Sequence, residues 1–293
     1  METEKDTDNR MTSLDKMLAI LDIFNDGKVD LLPEDVMQMA GVARATAYRY
    51  LRALSNAGLL APAAGGAYVL GSRVIELDRL MRVTDPFLTN ASPVMHEVAG
   101  ALGVNFMLCS YYGDKVMCAD LAWPDESIPR WYERGRPMPM FRGAMAQVIL
   151  SNLSQYQLRN IALWHAKEVA DAGLGTNWDE FRATMTRMRK DGCVVTRGEV
   201  IPDLVGIGAP IFDPEHRVLG SLVMIMTSES YARADPEGTR RQVIGAAARI
   251  NERLRNAERR TGAPAVAARP RRSGRRAISG GRDTRPGQET SET

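Results

Sequence analysis

The sequence predicts an α+β protein in two folded parts joined by a helix. Three observations carry that prediction. Helix-like stretches fill Ser13 to Asn56 and end in a Gly-rich hairpin, and strand-like and helix-like stretches then interleave beyond Pro86. The 293 residues suit about two domains. A composition of 44% hydrophobic and 25% charged residues is ordinary for a globular protein.

The first helix is expected over "SLDKMLAILDIF", where Leu14, Met17, Leu18, Leu21 and Phe24 recur at three- and four-residue spacing behind Ser13 as a cap. After the turn "GKVD" a short helix follows in "LLPEDVMQMAG", with Pro33 at its first position, Glu34 and Asp35 in its first turn and Gly41 closing it. The third stretch is "VARATAYRYLRAL", and the Gly65-Gly66 turn before "AYVLG" then reads as a small hairpin. "SRVIELDRLMRVTD", with Val74, Leu77, Leu80 and Met81 on one side, predicts a helical connector that stops at Asp85 before Pro86.

Beyond it, "PFLTNASPVMHEVAGALG" is an amphipathic helix. Strands are expected at "VNFMLCSYY", "KVMCADLAW", "RWYERG", "CVVTRG", "VGIGAPIFD" and "VLGSLVMIMT". The last is apolar on both parities, as a strand covered on both faces must be. Helices are expected at "GAMAQVILSNL", "SQYQLRNIAL", "WDEFRATMTRMRKDG" and finally "PEGTRRQVIGAAARINERLRNA".

The third stretch carries the functional signal. At about 100° per residue, Ala47, Leu51 and Leu54 fall on one side, while Ala45, Arg49 and Arg52 fall opposite. Thr46 and Tyr48 lie on the flanks and Arg44 at the start. Arginines directed away from the core, on the outer helix of a tri-helical unit with a tight Gly turn before it and a hairpin after it, make a winged helix-turn-helix. Such a helix fits the DNA major groove; a small residue such as Ala45 allows close approach, and Arg reaches guanine edges or phosphates.

On these residues the chain resembles the IclR family of bacterial transcriptional regulators over roughly Met11 to Arg259. The family's helix-turn-helix pattern, "ELA..tGl.kST.yR.L..L...G", is matched by "DVMQMAGVARATAYRYLRALSNAGLL". Arg44-Ala45 stands for the usual Lys-Ser, and Thr46, Tyr48 and Arg49 are retained. The resemblance implies a winged helix-turn-helix DNA-binding domain over 11–71, a linker helix over 72–85 and a GAF-like effector-binding α/β domain over 86–258. It also implies operator DNA as partner, bound by a homodimer or homotetramer, and a small-molecule effector, often an organic acid.

The family's pocket-mouth segment corresponds to "MPMFRGAMAQV", in which Pro139 and Met140 keep the pattern. Phe141, Arg142 and Gly143 replace the usual His, Ala and hydroxyl residue, and Ala144 follows. Gly206 stands where Cys is common, and Val223 and Ile225 where two serines often contact the effector. Thr196 stands where an acid can contact it, with Glu199 in the same loop. These departures predict an apolar, roomier floor and an effector with an apolar or aromatic body. Its carboxylate would pair with Arg142, unless Arg142 faces solvent or a neighbouring acid.

Other readings are weaker. His96, His165 and His216 lie far apart without adjacent acid or thiol motifs, and neither a phosphate-cradling loop nor a nucleophile elbow appears. No catalytic residue, metal or cofactor is expected. Cys109, Cys118 and Cys193 lack metal or disulfide spacing and read as buried thiols. No apolar run approaches the roughly 20 residues of a membrane span, and "METEKDTDNRMTS" is too polar for a signal peptide, so the protein is expected in the cytoplasm. The Arg-, Gly- and Pro-rich segment 259–293 is expected to be disordered, either attracting phosphates or merely solvated. A sensor acting through protein contacts instead of DNA is the competing function.

Overall fold

The computed structural model describes residues 11–261. It opens with α1 (Ser13–Leu18), which continues as a 3₁₀ turn over Ala19–Ile23. The cap is Thr12 and not Ser13: Thr12 and Asp15 form a reciprocal capping box, while the Ser13 hydroxyl bonds the Tyr50 hydroxyl at 2.7 Å. The tighter 3₁₀ winding stacks residues three apart and brings Ile20 and Ile23 into the core. Leu14 and Leu18, expected on the core face, are exposed.

Helix α2 (Pro33–Ala40) ends at Gly41 in the left-handed conformation, φ 59°. Asp35 in its first turn accepts from the Leu32 N–H and pairs with Lys28 at 2.6 Å. The Lys28 bond, then the Leu32 N–H, hold its carboxyl below the ordinary range. Helix α3 (Arg44–Asn56) follows after three residues, Gly41 to Ala43. It buries Ala47, Tyr50, Leu51 and Leu54 against Ile20, Leu31 and Val36. The wing strands β1 (Leu60–Pro62) and β2 (Tyr68–Leu70) pair antiparallel, and Leu31 adds a third edge through two bonds of 2.8 Å to Tyr68.

The connector is α4 (Arg73–Thr84), and its start is locked to the end of α3. Arg73 donates to the Gly58 carbonyl and Gly71 to the Leu59 carbonyl, and a Cβ on Gly71 would sit 2.1 Å from the Gly58 oxygen. The expected break at Asp85 is present: its carboxylate caps α5 (Pro86–Leu102) through the Phe87 N–H.

Next come β3 (Asn105–Tyr112), β4 (Lys115–Ala122) and β5 (Pro137–Met138). The helices α6 (Ala144–Ser151), α7 (Gln155–Trp164), α8 (Ala166–Asp171) and α9 (Trp178–Asp191) follow, then β6 (Val194–Arg197), β7 (Leu204–Phe212), β8 (Val218–Thr227), α10 (Ser228–Arg233) and α11 (Pro236–Thr261). The strands form one antiparallel sheet in the order β5-β4-β3-β8-β7-β6. Leu222 and Met224 of β8 join the core under α5 and α11, while Val223 and Ile225 join the core under α6. Helices on both faces of an antiparallel sheet give the α+β class.

Three expectations change. "RWYERG" is not a strand; it crosses β4 as an irregular segment in which Gly135 donates to the Cys118 carbonyl. The short helices α8 and α10 were not expected. Helix α11 runs past Asn256 and Ala257 to Thr261, so the expected tail begins inside a helix; its remainder, from residue 262, lies outside the described residues. The three thiols are buried and free. Burial raises all three, that of Cys118 to about 12, which keeps them protonated and unreactive.

Gly71→Ala forces a methyl into the Gly58 carbonyl and is expected to destabilise the N-terminal unit by more than about 2 kcal/mol. Thermal melting would show this as an earlier transition. A Lys28→Ala change should raise the Asp35 pKa. The Asp35 contribution is present above the usual carboxylate range and lost as pH falls through its lowered value. The variant is therefore expected to lose stability at neutral pH, with the difference from wild type vanishing in acid, as denaturant midpoints across pH would record.

Candidate nucleic-acid helix and ligand cavity

Helix α3 begins at Ala43, which has no side chain able to cap it, so its first N–H groups are left for solvent or an anion. Arg44, Ala45, Tyr48, Arg49 and Arg52 are exposed and Thr46 is half-buried. Opposite them, Ala47 and Leu51 are fully buried. The arginine face and the core face thus lie where the periodicity placed them, and Tyr50, not singled out by the sequence, is a further core residue. The Arg44 guanidinium lies 5.7 Å from the Tyr48 ring centre and that of Arg49 lies 5.8 Å from Tyr50, so aromatic faces steady two of the three cations. The helix contains no acid to neutralise them, and the wing tip Ala63–Ala67 carries no charge at all.

The second feature is a cavity between the start of α6, the loop after β6 and strands β7 and β8. Gly143, Ala144, Thr196, Gly206, Val223 and Ile225 line it, together with Tyr132 and Glu199. The start of α6 is held from across the cavity. Thr196 Oγ1 accepts from the Ala144 N–H at 3.0 Å, and Glu199 Oε2 accepts from the Gly143 N–H at 2.8 Å and from Gln147 Nε2 at 2.7 Å. Gly143 adopts φ 82°, and a Cβ there would strike Met145 and Val200. That requirement accounts for the glycine at this position. At Gly206 a side chain would make only ordinary contacts and project towards Ala144, Thr196 and Val223.

Two nominees stand elsewhere. Arg142 is exposed and donates to the Asp171 carbonyl at the end of α8, where a cation suits the helix terminus. Met140 packs among the apolar side chains around α6 and α9. Neither lines the cavity, and Arg142 takes the other arrangement that the sequence left open, facing solvent. The expected roominess is also absent: Met107, Met145, Val200 and Ile201 line the cavity as well, and about 20 Å³ remains, room for one water. The sequence missed Tyr132 because the segment was read as a strand; the aromatic pair Trp131-Tyr132 among charged residues was the available signal.

Tyr132 also connects the cavity to the linker. Two residues later, Arg134 donates to Asp78 of α4 at 2.8 and 3.1 Å and to the Ala119 carbonyl, and Asp78 bonds Arg82 as well.

Comparison with known proteins follows the same division. The family model for the IclR helix-turn-helix domain matches residues 13–63, and that for the bacterial transcriptional regulator IclR C-terminal domain matches residues 84–252. The HTH-type transcriptional regulator KipR of Bacillus subtilis is 25% identical over 216 residues, 73% of this chain and 85% of its own. The Pca regulon regulatory protein of Pseudomonas putida is 23% identical, over 72% of this chain and 73% of its own. Among solved structures, a putative IclR transcriptional regulator from Silicibacter sp. TM1040 superposes with a TM-score of 0.70 at 20% identity, covering 83% of this chain and 96% of that one. An IclR homolog from Microbacterium hydrocarbonoxydans, complexed with 4-hydroxybenzoate, gives 0.65 at 19%, covering 84% and 100%.

Thr196→Val keeps the shape but leaves the buried Ala144 N–H without its acceptor. A loss of about 1–3 kcal/mol is expected, measurable as a lower urea midpoint at unchanged slope.

Proposed function

Since the chain belongs to the IclR family of bacterial transcriptional regulators, we propose that α3 reads operator DNA and that a small organic acid in the α6 cavity controls that reading. The observation that carries the DNA half is the acid-free arginine face of α3, held outward by Ala47, Tyr50, Leu51 and Leu54. Arg44, Arg49 and Arg52 supply phosphate and guanine contacts, Ala45 lets the backbone approach, and Thr46 and Tyr48 give hydroxyls at the flanks. The wing, without charge, adds shape but no cation, so the electrostatic share of binding rests on α3. Regulation here is by binding and not by catalysis.

A single such helix reads a short half-site, so specificity calls for two copies on a roughly palindromic operator. Exposed apolar side chains, Leu14 and Leu18 on α1 and Ile75, Leu80 and Val83 on α4, are available for that pairing. The cytoplasm is the proposed place of work; among the described residues no helix is long and apolar enough to cross a membrane.

The acid effector is supported by the 4-hydroxybenzoate complex of the Microbacterium homolog. In this chain no basic side chain lines the cavity, so the positive end of α6 is what an effector carboxylate would seek, in competition with Glu199 and Thr196. With room for one water, the cavity must open to admit it. Displacement of Tyr132 would reach Asp78 through Arg134, and so the linker. Effector shifts the reading helices by its difference in affinity for the two arrangements.

Arg49→Ala is expected to weaken operator-fragment binding at least about tenfold, the scale of a lost base or phosphate contact, and to flatten its salt dependence. A gel shift unchanged by the substitution and insensitive to salt would favour a protein partner instead. Ile75→Asp should yield monomers by sedimentation. Asp78→Asn should leave DNA affinity without effector close to wild type while reducing the change that effector produces.

A further inference from the structure

A second, roomier hollow lies on the outer side of the sensor part, between α7, α8 and the start of α9. It encloses about 430 Å³, in the range of small-molecule sites and far above the space in the α6 cavity. Val169 and Phe181 form a buried floor. Trp178 stands edge-on to Phe181, ring centres 6.5 Å apart, and exposed Leu163 also lines the hollow. The hollow therefore offers both aromatic and aliphatic side chains.

Its charge is decided by which groups around it are already committed. Lys167 pairs with Asp171 at 2.5 Å, Arg182 with Asp179 at 3.6 Å, and His165 with Glu168 at 3.3 Å. Glu180 accepts from both the N–H and the hydroxyl of Thr176, at 2.8 Å each. Arg159 differs. Its guanidinium lies 5.3 Å from the Trp178 ring centre, and among the described residues no carboxylate comes within 4 Å of it. The rim thus presents one uncompensated guanidinium, over the Trp178 ring, beside an apolar hollow.

We propose that this hollow is a second small-molecule site, distinct from the α6 cavity, taking a flat aromatic or apolar anion. The anion's ring inserts between Leu163 and Trp178, and its carboxylate or sulfonate meets Arg159. A guanidinium stacked on an aromatic ring keeps its in-plane N–H groups free, so it can receive an oxyanion through two parallel bonds. The chemistry that the sequence assigned to Arg142 is therefore supplied by Arg159, where an apolar slot adjoins the cation.

The test uses the full chain and two probes of equal shape, 1-naphthoate and its neutral amide, followed by calorimetry and by methyl resonances of Val169 and Ala162 at the hollow and of Val223 and Ile225 at the α6 cavity. Saturable naphthoate binding that moves the first pair is expected. It should weaken at least tenfold in Arg159→Gln and less in Arg159→Lys, while weak amide binding stays unchanged. Arg159 is exposed, so these variants should fold normally, and Ala162→Trp, which fills the slot, should abolish the signal. Shifts confined to Val223 and Ile225, equal naphthoate affinity in Arg159→Gln, or a hollow blocked in solution by a second copy, seen as self-association lost in Ala162→Trp, would each overturn the assignment. DNA binding is not read, so failure here leaves the regulator reading standing.

Discussion

Strand β8 is the constraint on which the C-terminal part depends. Its side chains are apolar on both parities, so water must be excluded from both faces, and the chain provides two separate covers. One is α5 with α11, over Leu222 and Met224; the other is α6, over Val223 and Ile225. The approach of α6 is close because β7 offers Gly208 beneath it, where a Cβ would lie 2.8 Å from the Ala144 carbonyl oxygen. The cavity is the seam of that approach, where the helix start is suspended from Thr196 and Glu199 rather than packed flush on the sheet.

The N-terminal unit is organised differently. Its core is small, with Leu31, Leu51 and Val36 at the centre, and it reaches the C-terminal part through a helix that buries none of its residues. Such a connector takes its orientation from its two ends. At one end the glycine contact of Gly71 with Gly58 fixes it to α3; along its length Asp78 is gripped by Arg134, whose side chain is 16% exposed and so less screened than the surface pairs around it. A rigid start and a polar grip leave the apolar side of α4 uncovered within one copy of the chain.

The two hollows divide the tasks that the sequence merged. The α6 cavity has polar anchors, a helix terminus and almost no free volume, so occupancy and rearrangement are inseparable there. The hollow between α7 and α9 has volume, aromatic and aliphatic lining and a cation at its rim.

The sequence by itself determined the elements whose signals are local. The proline-started, glycine-terminated helix α2, the amphipathic helix α3, the glycine hairpin, the break at Asp85 and the doubly apolar β8 all follow from periodicity and turn chemistry confined to a few residues. The outward arginine face is legible for the same reason, since a helical wheel needs only the helix. Tertiary structure decided everything that depends on what a side chain meets across the fold. Ile20 and Ile23 replace Leu14 and Leu18 in the core because the first helix tightens, and Tyr132 reaches the cavity because its segment crosses β4 without pairing as a strand. Arg142 turns to the Asp171 carbonyl because α8, a helix with too short a pattern to foresee, ends beside it. A residue's chemistry is written in its identity, but its partner is set by distances that no spacing along the chain contains.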